Sequence, residues 1–285
     1  KGPEFRNDAH RNSWINSLRI HAFPIIGSRQ VAEVDAADIV RILDPIWRTK
    51  TETATRIRRR IERVFDYAKS AQLIEGDNPA AWAGNLEYKL PDPAKIRKVR
   101  HHRAIPWDRL PAFMTSIRAQ GGIASRALEF LILTAARSGE VRGARWAEID
   151  MAERVWTVPD DRTKSGRPHR VPLSPYALEI LESLPRIAGT DLVFPSPRAL
   201  VLSDVGLSKA VKRIDAEATV HGFRSTFKDW ARSRTAYADE VSELALAHVN
   251  DDRTRAAYAR DELLPQRRAL MEDWARYCKS DDRVK

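Results

Sequence analysis

Between Leu90 and Arg103 the helical pattern of the chain breaks. Pro91 and Pro93 open this segment, and Lys95, Arg97, Lys98, Arg100 and Arg103 follow Asp92 without another acid. Proline lacks an amide donor and pushes the residue before it toward extended backbone, so the stretch reads as an extended basic linker. A connector of this kind makes a single continuous core unattractive. It divides the 285 residues into a first part over 6–88, a linker over 89–103 and a second part over 104–285. That length suits two domains. Gly2-Pro3-Glu4-Phe5 reads as a cloning and protease remnant, so residues 1–5 are set aside and native sequence is expected to be missing before about Arg6.

The first part reads as all helix. Asp8 to about Ser17 carries Trp14 on a short helix, and Pro24 falls in the loop after it. Asp35 and Asp38 offer a cap for a helix through Ile39, Ile42 and Leu43. Thr51 to Leu73 is the clearest helix, with Ile57, Ile61, Val64, Phe65 and Ala68 forming one apolar stripe. Arg56, Arg59, Arg60 and Arg63 are expected largely off that stripe. Asn78-Pro79 opens another helical turn through Trp82.

The second part mixes elements. Helices are expected over Trp107 to Arg118 and Ile123 to Ala136. Val155 to Pro159 and His169 to Leu173 alternate as strands, and Arg162 to Gly166 supplies the turn between them, with Lys164 near its tip. Helices return over Ser174 to Leu184, Ser203 to Ala216, Gly222 to Arg232, Val241 to Ala247, Thr254 to Tyr258 and Pro265 to Lys279. The expected fold class is therefore mainly α with a small β-ribbon, an α+β arrangement preceded by a small helical domain.

Charge points to the partner. There are 49 basic against 39 acidic residues, a net +10. Residues 48–63 hold seven basic side chains against two acidic ones, so the excess is locally concentrated. A polyanion bound with salt dependence is the natural partner. No apolar run approaches the ~18 residues of a membrane span, and no secretory signal pattern opens the chain. A lone Cys278 excludes an internal disulfide framework and fits a reducing cytosol. No HxxxH, CxxC or paired-carboxylate cluster suggests a metal, which argues against a metal-dependent nuclease.

Several residues suit phosphodiester chemistry. His221 and Arg224 are three apart on an expected helix. His248 follows, and Tyr258 comes ten residues after it. Arg137 ends an apolar helix, and Glu140 lies three residues on. Arginine stays charged and its fork binds two oxygens at once, which suits the charge on the non-bridging oxygens of a pentavalent phosphate. Singly each residue is commonplace: a helix-end charge, a surface imidazole, an amphipathic aromatic.

Together, Arg137-x-x-Glu140, Lys164 on a turn, His221-x-x-Arg224, His248 and Tyr258 closely resemble the tyrosine site-specific recombinases, and within them the integrases of temperate phages and genomic islands. Thr134, Val171 to Ser174, Leu246-Ala247 and Ala257 agree with that pattern. The resemblance covers about residues 104–280, and residues 6–88 resemble the family's core-site-binding domain less specifically. It implies that Tyr258 is the nucleophile, forming a 3′-phosphotyrosyl link and releasing a 5′-hydroxyl. Arg137 and Arg224 would clamp the phosphate, and Lys164 would protonate the departing oxygen. His221 would assist proton transfer or hydrogen-bond the phosphate, His248 would hydrogen-bond a phosphate oxygen, and Glu140 would support the site. No metal or cofactor is implied. The partner would be a duplex carrying a core-type recombination site, gripped also by Arg56, Arg59, Arg60, Arg63, Lys95, Arg97, Lys98 and Arg100. The protein would be a homotetramer on synapsed DNA, a monomer in free solution, and located in the bacterial cytoplasm. Nothing resembles the arm-site-binding domain with which such integrases usually begin. The alternatives are a non-catalytic DNA-binding module of the same fold, or type IB topoisomerase-like cleavage and resealing.

Overall fold

The computed structural model describes residues 8–96, 103–248 and 263–280, with side chains from residue 11 onward. It divides into two compact units, Lys1–Arg100 and His101–Lys285.

In the first unit α1 (Asp8–His21), α2 (Phe23–Ile26), α3 (Ala36–Trp47), α4 (Thr51–Ser70) and the short α5 (Pro93–Ile96) surround one apolar cluster. Pro24 sits in the first turn of α2 rather than in a loop, a position where its missing amide costs nothing. Asp35 caps α3 by accepting from the Asp38 amide at 2.9 Å, and Asp38 returns the bond to the Asp35 amide at 3.2 Å. Ile39, Ile42, Leu43 and Trp47 of α3 meet Ala54, Ile57, Ile61 and Phe65 of α4 in the core. Trp47 also stacks on Trp82 at 5.7 Å and donates through Nε1 to the Pro91 carbonyl at 2.8 Å. The Asn78–Trp82 stretch forms turns, not helix. Val64 faces outward, because the stripe turns with the 3.6-residue period and Phe65 takes the buried place.

The second unit is mainly helical with a small antiparallel sheet. Its helices are α6 (Leu110–Gln120), α7 (Gly122–Thr134), α8 (Ser138–Arg142), α9 (Pro175–Glu182), α10 (Asp204–Lys212), α11 (Gly222–Arg234), α12 (Asp239–Ala245) and α13 (Leu264–Lys279). The sheet runs β1 (Ile149–Asp150), β2 (Val155–Val158), β3 (His169–Pro172), with Val155 opposite Pro172 and Val158 opposite His169. β1 and α8 have no counterpart among the expected elements; two and five residues carry too little pattern to read. Helix α7 is the axis of this unit, buried on every side from Ala127 to Thr134. Its one buried charge, Glu129, is met by Arg126 at 2.7 Å, Arg118 at 3.3 Å and the Tyr176 hydroxyl at 3.0 Å. Helix α13 folds back onto the core of its own chain, burying Leu270, Met271, Trp274, Ala275 and Cys278.

Candidate active site

The site is assembled where two helices, α7 and α12, stop and a third, α11, begins. Helix α7 ends because Ala135 turns left-handed (φ 50°), which frees its carbonyl from the helical ladder. Two residues on, Arg137 is the N-cap of α8. Glu140, almost fully buried, accepts from the Arg137 amide at 2.8 Å and from its guanidinium at 2.9 Å. Helix α12 ends in the same manner, with Ala247 left-handed at φ 49°. Its last carbonyls are turned to the site. Ala247 accepts from Arg137 at 3.2 Å, and Leu246 accepts from Arg224 at 2.6 Å.

Arg224 comes from the first turn of α11 and donates its other arm to the Ala135 carbonyl at 2.6 Å. The two loop ends are thus tied together by two guanidiniums. A left-handed alanine is mildly strained, by about 1–2 kcal/mol, and these bonds offset that cost. Burial, then the neighbouring positive charge of Arg137, lower the Arg224 pKa to about 10, so Arg224 remains a cation near neutral pH. Two cations, of which Arg137 is paired with Glu140, in a partly dry setting form a ready receptor for an anion with several oxygens.

His248 completes the group. Its Nε2 lies 3.1 Å from Arg224, and its Nδ1 lies 2.7 Å from Glu243 of α12. Behind Glu243 stands the buried Lys228 of α11, bonded to Glu243 at 2.6 Å, to Asp239 at 2.7 Å and to the Ser242 hydroxyl at 2.6 Å. Hydrogen bonds from Arg232, then from Lys228, hold Asp239 at about 2. Burial would raise the Glu243 pKa, but hydrogen bonds from Lys228 and His248 outweigh it and leave the carboxyl below its ordinary value.

Of the expected set, Arg137, Glu140, Arg224 and His248 therefore meet through hydrogen bonds. His221 is the exposed N-cap of α11, one turn before Arg224. Lys164 lies exposed in the β2–β3 turn, where Gly166 supplies the positive φ of 69°. The base of that ribbon is anchored beside the site, since Arg162 pairs with Glu148 and donates to the Glu140 carbonyl at 3.3 Å. Tyr258, Arg97, Lys98 and Arg100 lie outside the described residues. Arg56, Arg59 and Arg63 are exposed on α4, and Lys95 sits in the last turn of α5.

Arg60 departs from expectation. It is buried, donates to the Ser13 carbonyl at 2.8 Å and to the Ser17 hydroxyl, and lies over the Trp14 ring at 6.0 Å. It stands three residues after Ile57 and next to Ile61, at the edge of the apolar stripe, so it fills the α1–α4 seam and is removed from the exposed basic set.

Sequence reasoning also missed His169, Arg267, Lys228 and Glu243. His169, on β3, has its pKa lowered to about 4, first by burial and then by the Arg267 charge, with Arg137 and Arg224 adding to it. It is a neutral imidazole beside the guanidiniums. Arg267, in α13, is buried and donates to the Arg170 carbonyl of β3 at 2.8 Å. No local pattern flags such residues, because what assembles them is the meeting of distant elements. Among the described residues no group of three or more His, Cys, Asp or Glu could hold a metal ion, and no helix is long and apolar enough to cross a membrane.

Comparison with known proteins identifies the family. The phage integrase central domain matches residues 1–85, and the phage integrase family matches residues 106–263. The chain belongs to the phage integrase family. It is 34% identical to the prophage integrase IntZ of Escherichia coli K12 over 265 residues, covering 91% of this chain and 64% of that protein. The figures for prophage integrase IntA of the same strain are 34% over 275 residues, 93% and 64%. The chain thus spans just under two thirds of the length of these relatives. A lambda integrase tetramer bound to a Holliday junction shares the fold, with a TM-score of 0.67 at 15% identity, covering 87% of this chain and 73% of that one.

Proposed function

We propose that this chain carries out site-specific DNA recombination, the integration or excision of a mobile element, through a 3′-phosphotyrosyl intermediate on Tyr258. The observation that carries the reading is the convergence of Arg137, Arg224 and His248 on one spot, held by the carbonyls of Ala135, Leu246 and Ala247. A phosphodiester in that spot would place its non-bridging oxygens against two guanidiniums, which stabilises the extra charge of the pentavalent state. Tyr258 would attack phosphorus, forming the P–O bond to the protein as the bond to the 5′-oxygen breaks. A free tyrosine has a pKa near ~10, so its proton must be taken as it attacks. His221 would assist that transfer. Lys164 would give a proton to the leaving 5′-oxygen, brought in by its ribbon turn. His248 would hydrogen-bond a phosphate oxygen, and Glu140 would keep Arg137 in place. The reverse step, attack by another strand's 5′-hydroxyl on phosphorus with the tyrosine oxygen leaving, needs no external energy because the P–O bond to tyrosine conserves that of the phosphodiester.

In this reading residues 6–88 are a core-site-binding domain, residues 89–103 a basic linker and residues 104–285 the catalytic domain. The partner is double-stranded DNA, the working assembly is a tetramer on two synapsed sites, and the setting is the bacterial cytoplasm. That a related fold is seen as a tetramer on a Holliday junction supports the assembly.

The test is covalent trapping. Nicked duplexes with a randomised core, incubated with the chain in EDTA and stopped in detergent, should give a protein–DNA adduct that peptide mapping places on Tyr258. An adduct that forms only with Mg²⁺, or on another residue, would overturn the reading. Absence of any adduct, with binding intact, would favour a non-catalytic DNA-binding module.

The exposed face of α4 makes a second expectation. Changing both Arg59 and Arg63 to alanine should weaken binding to the captured duplex and reduce its log–log salt slope by about 0.9 for each phosphate that is no longer neutralised. Arg60→Ala should leave the slope unchanged and instead destabilise the first unit by about 1–3 kcal/mol, because buried acceptors lose their donor. Salt titrations and thermal melting separate the two outcomes; an unchanged slope in the Arg59 and Arg63 double variant removes α4 from the DNA.

A further inference from the structure

We infer that Glu243 is the positioning residue for His248, accepting from its Nδ1 so that Nε2 is held toward Arg224; this rests on the reaction proposed above. An imidazole presents a chosen nitrogen to a site only when the other nitrogen is tied. The His248 side chain is 47% exposed, so packing alone does not orient it. Two bonds do. Arginine can only donate, so in the DNA-free protein Nε2 accepts from Arg224 and the ring proton sits on Nδ1, facing Glu243 at 2.7 Å. Glu243 is itself held, since its other oxygen is 2.6 Å from Lys228 Nζ. Lys228 is fixed in turn by Asp239 at 2.7 Å and Ser242 at 2.6 Å. The line Lys228–Glu243–His248–Arg224 therefore runs from the buried face of α11, across α12, to the phosphate receptor.

A surface His–Glu pair at a helix end would not require a buried lysine behind it, and such a pair contributes little by itself. The arrangement instead resembles the outer groups that aim a reacting histidine. When a phosphate oxygen replaces Arg224 as the partner of Nε2, that nitrogen must carry a proton, because the oxygen only accepts. The proton comes from solvent, and the Glu243 carboxylate across the ring balances the imidazolium.

The experiment uses the captured nicked duplex with the full chain. Glu243→Ala should slow adduct formation by about 10- to 100-fold with little change in DNA affinity, the range seen when a group orienting a functional histidine is lost. Glu243→Gln keeps an acceptor at Nδ1 but not the balancing charge, and should recover part of that loss. In a His248→Ala background Glu243→Ala should cost nothing more, since its effect passes through the imidazole. Equal losses for Ala and Gln, or multiplicative losses in the double variant, would overturn the inference. A second readout needs no DNA. Nitrogen-15 spectra of the parent should show His248 protonated at Nδ1; protonation at Nε2 would overturn the inference even if Glu243→Ala did not fold. A parent chain that forms no adduct yet shows the Nδ1 tautomer would count against the reaction and not against the orientation.

Discussion

Arg224→Ala is expected to lower the rate of adduct formation on the captured duplex by about 10³-fold or more, while DNA affinity falls far less. Losing one preorganised donor to a developing oxyanion typically costs about 10² to 10³ in rate, and here a two-armed cation is removed. Arg224→Lys should fare little better. The guanidinium makes bonds to two carbonyls on different loops, at Ala135 and Leu246, and a single ammonium cannot span both while meeting a phosphate. The fold should survive, because the change also removes repulsion between two neighbouring cations, which lowers the Arg224 pKa alongside burial. Single-turnover cleavage and a binding titration on the same duplex decide it. A lysine variant within tenfold of the parent would show that geometry at this position is not what stabilises the transition state.

Trp274→Ala should be the most damaging change to stability in the second unit. The ring is fully buried between Trp230 at 4.9 Å, Phe227 at 5.3 Å and Tyr277 at 6.1 Å, and Nε1 donates to the Ile132 carbonyl of α7 at 2.8 Å. Large-to-small changes at such sites cost about 3–5 kcal/mol, and the lost Nε1 hydrogen bond adds to that. At roughly 2–4 °C per kcal/mol the melting temperature should fall by about 10–15 °C. Trp274→Phe, which keeps most of the packing, should lose less than half as much. A fall that varies with protein concentration would mean that α13 is stabilised by a second copy of the chain and not by its own core.

That docking of α13 is one place where sequence fell short. Leu270, Met271 and Trp274 announced an apolar face, yet periodicity says nothing about whose core receives it. The same limit explains Arg60 and Val64. The stripe of α4 was legible from its spacing, but which residues at its edges are buried depends on where α1 lies. At the site, Arg137, Glu140, Arg224 and His248 were legible because, with Lys164, His221 and Tyr258, they resemble a known family's pattern in type and order. Glu243, Lys228, His169 and Arg267 were not, since each acquires its role from a neighbour on another element.

Chain chemistry by itself determined the local matters. Alternation made the ribbon that carries Lys164, and the order of arginines, histidines and Tyr258 pointed to phosphodiester transfer. The segment after Leu90, expected to be extended, instead turns into the short helix α5 because Pro93 fits a first helical turn. Tertiary structure alone decided how those residues become a receptor. Two left-handed alanines expose carbonyls, the carbonyls bind two guanidiniums, and a lysine and a carboxylate aim the imidazole. The reason is physical: hydrogen bonds between residues up to 110 positions apart, as between Arg137 and Ala247, leave no period in the sequence.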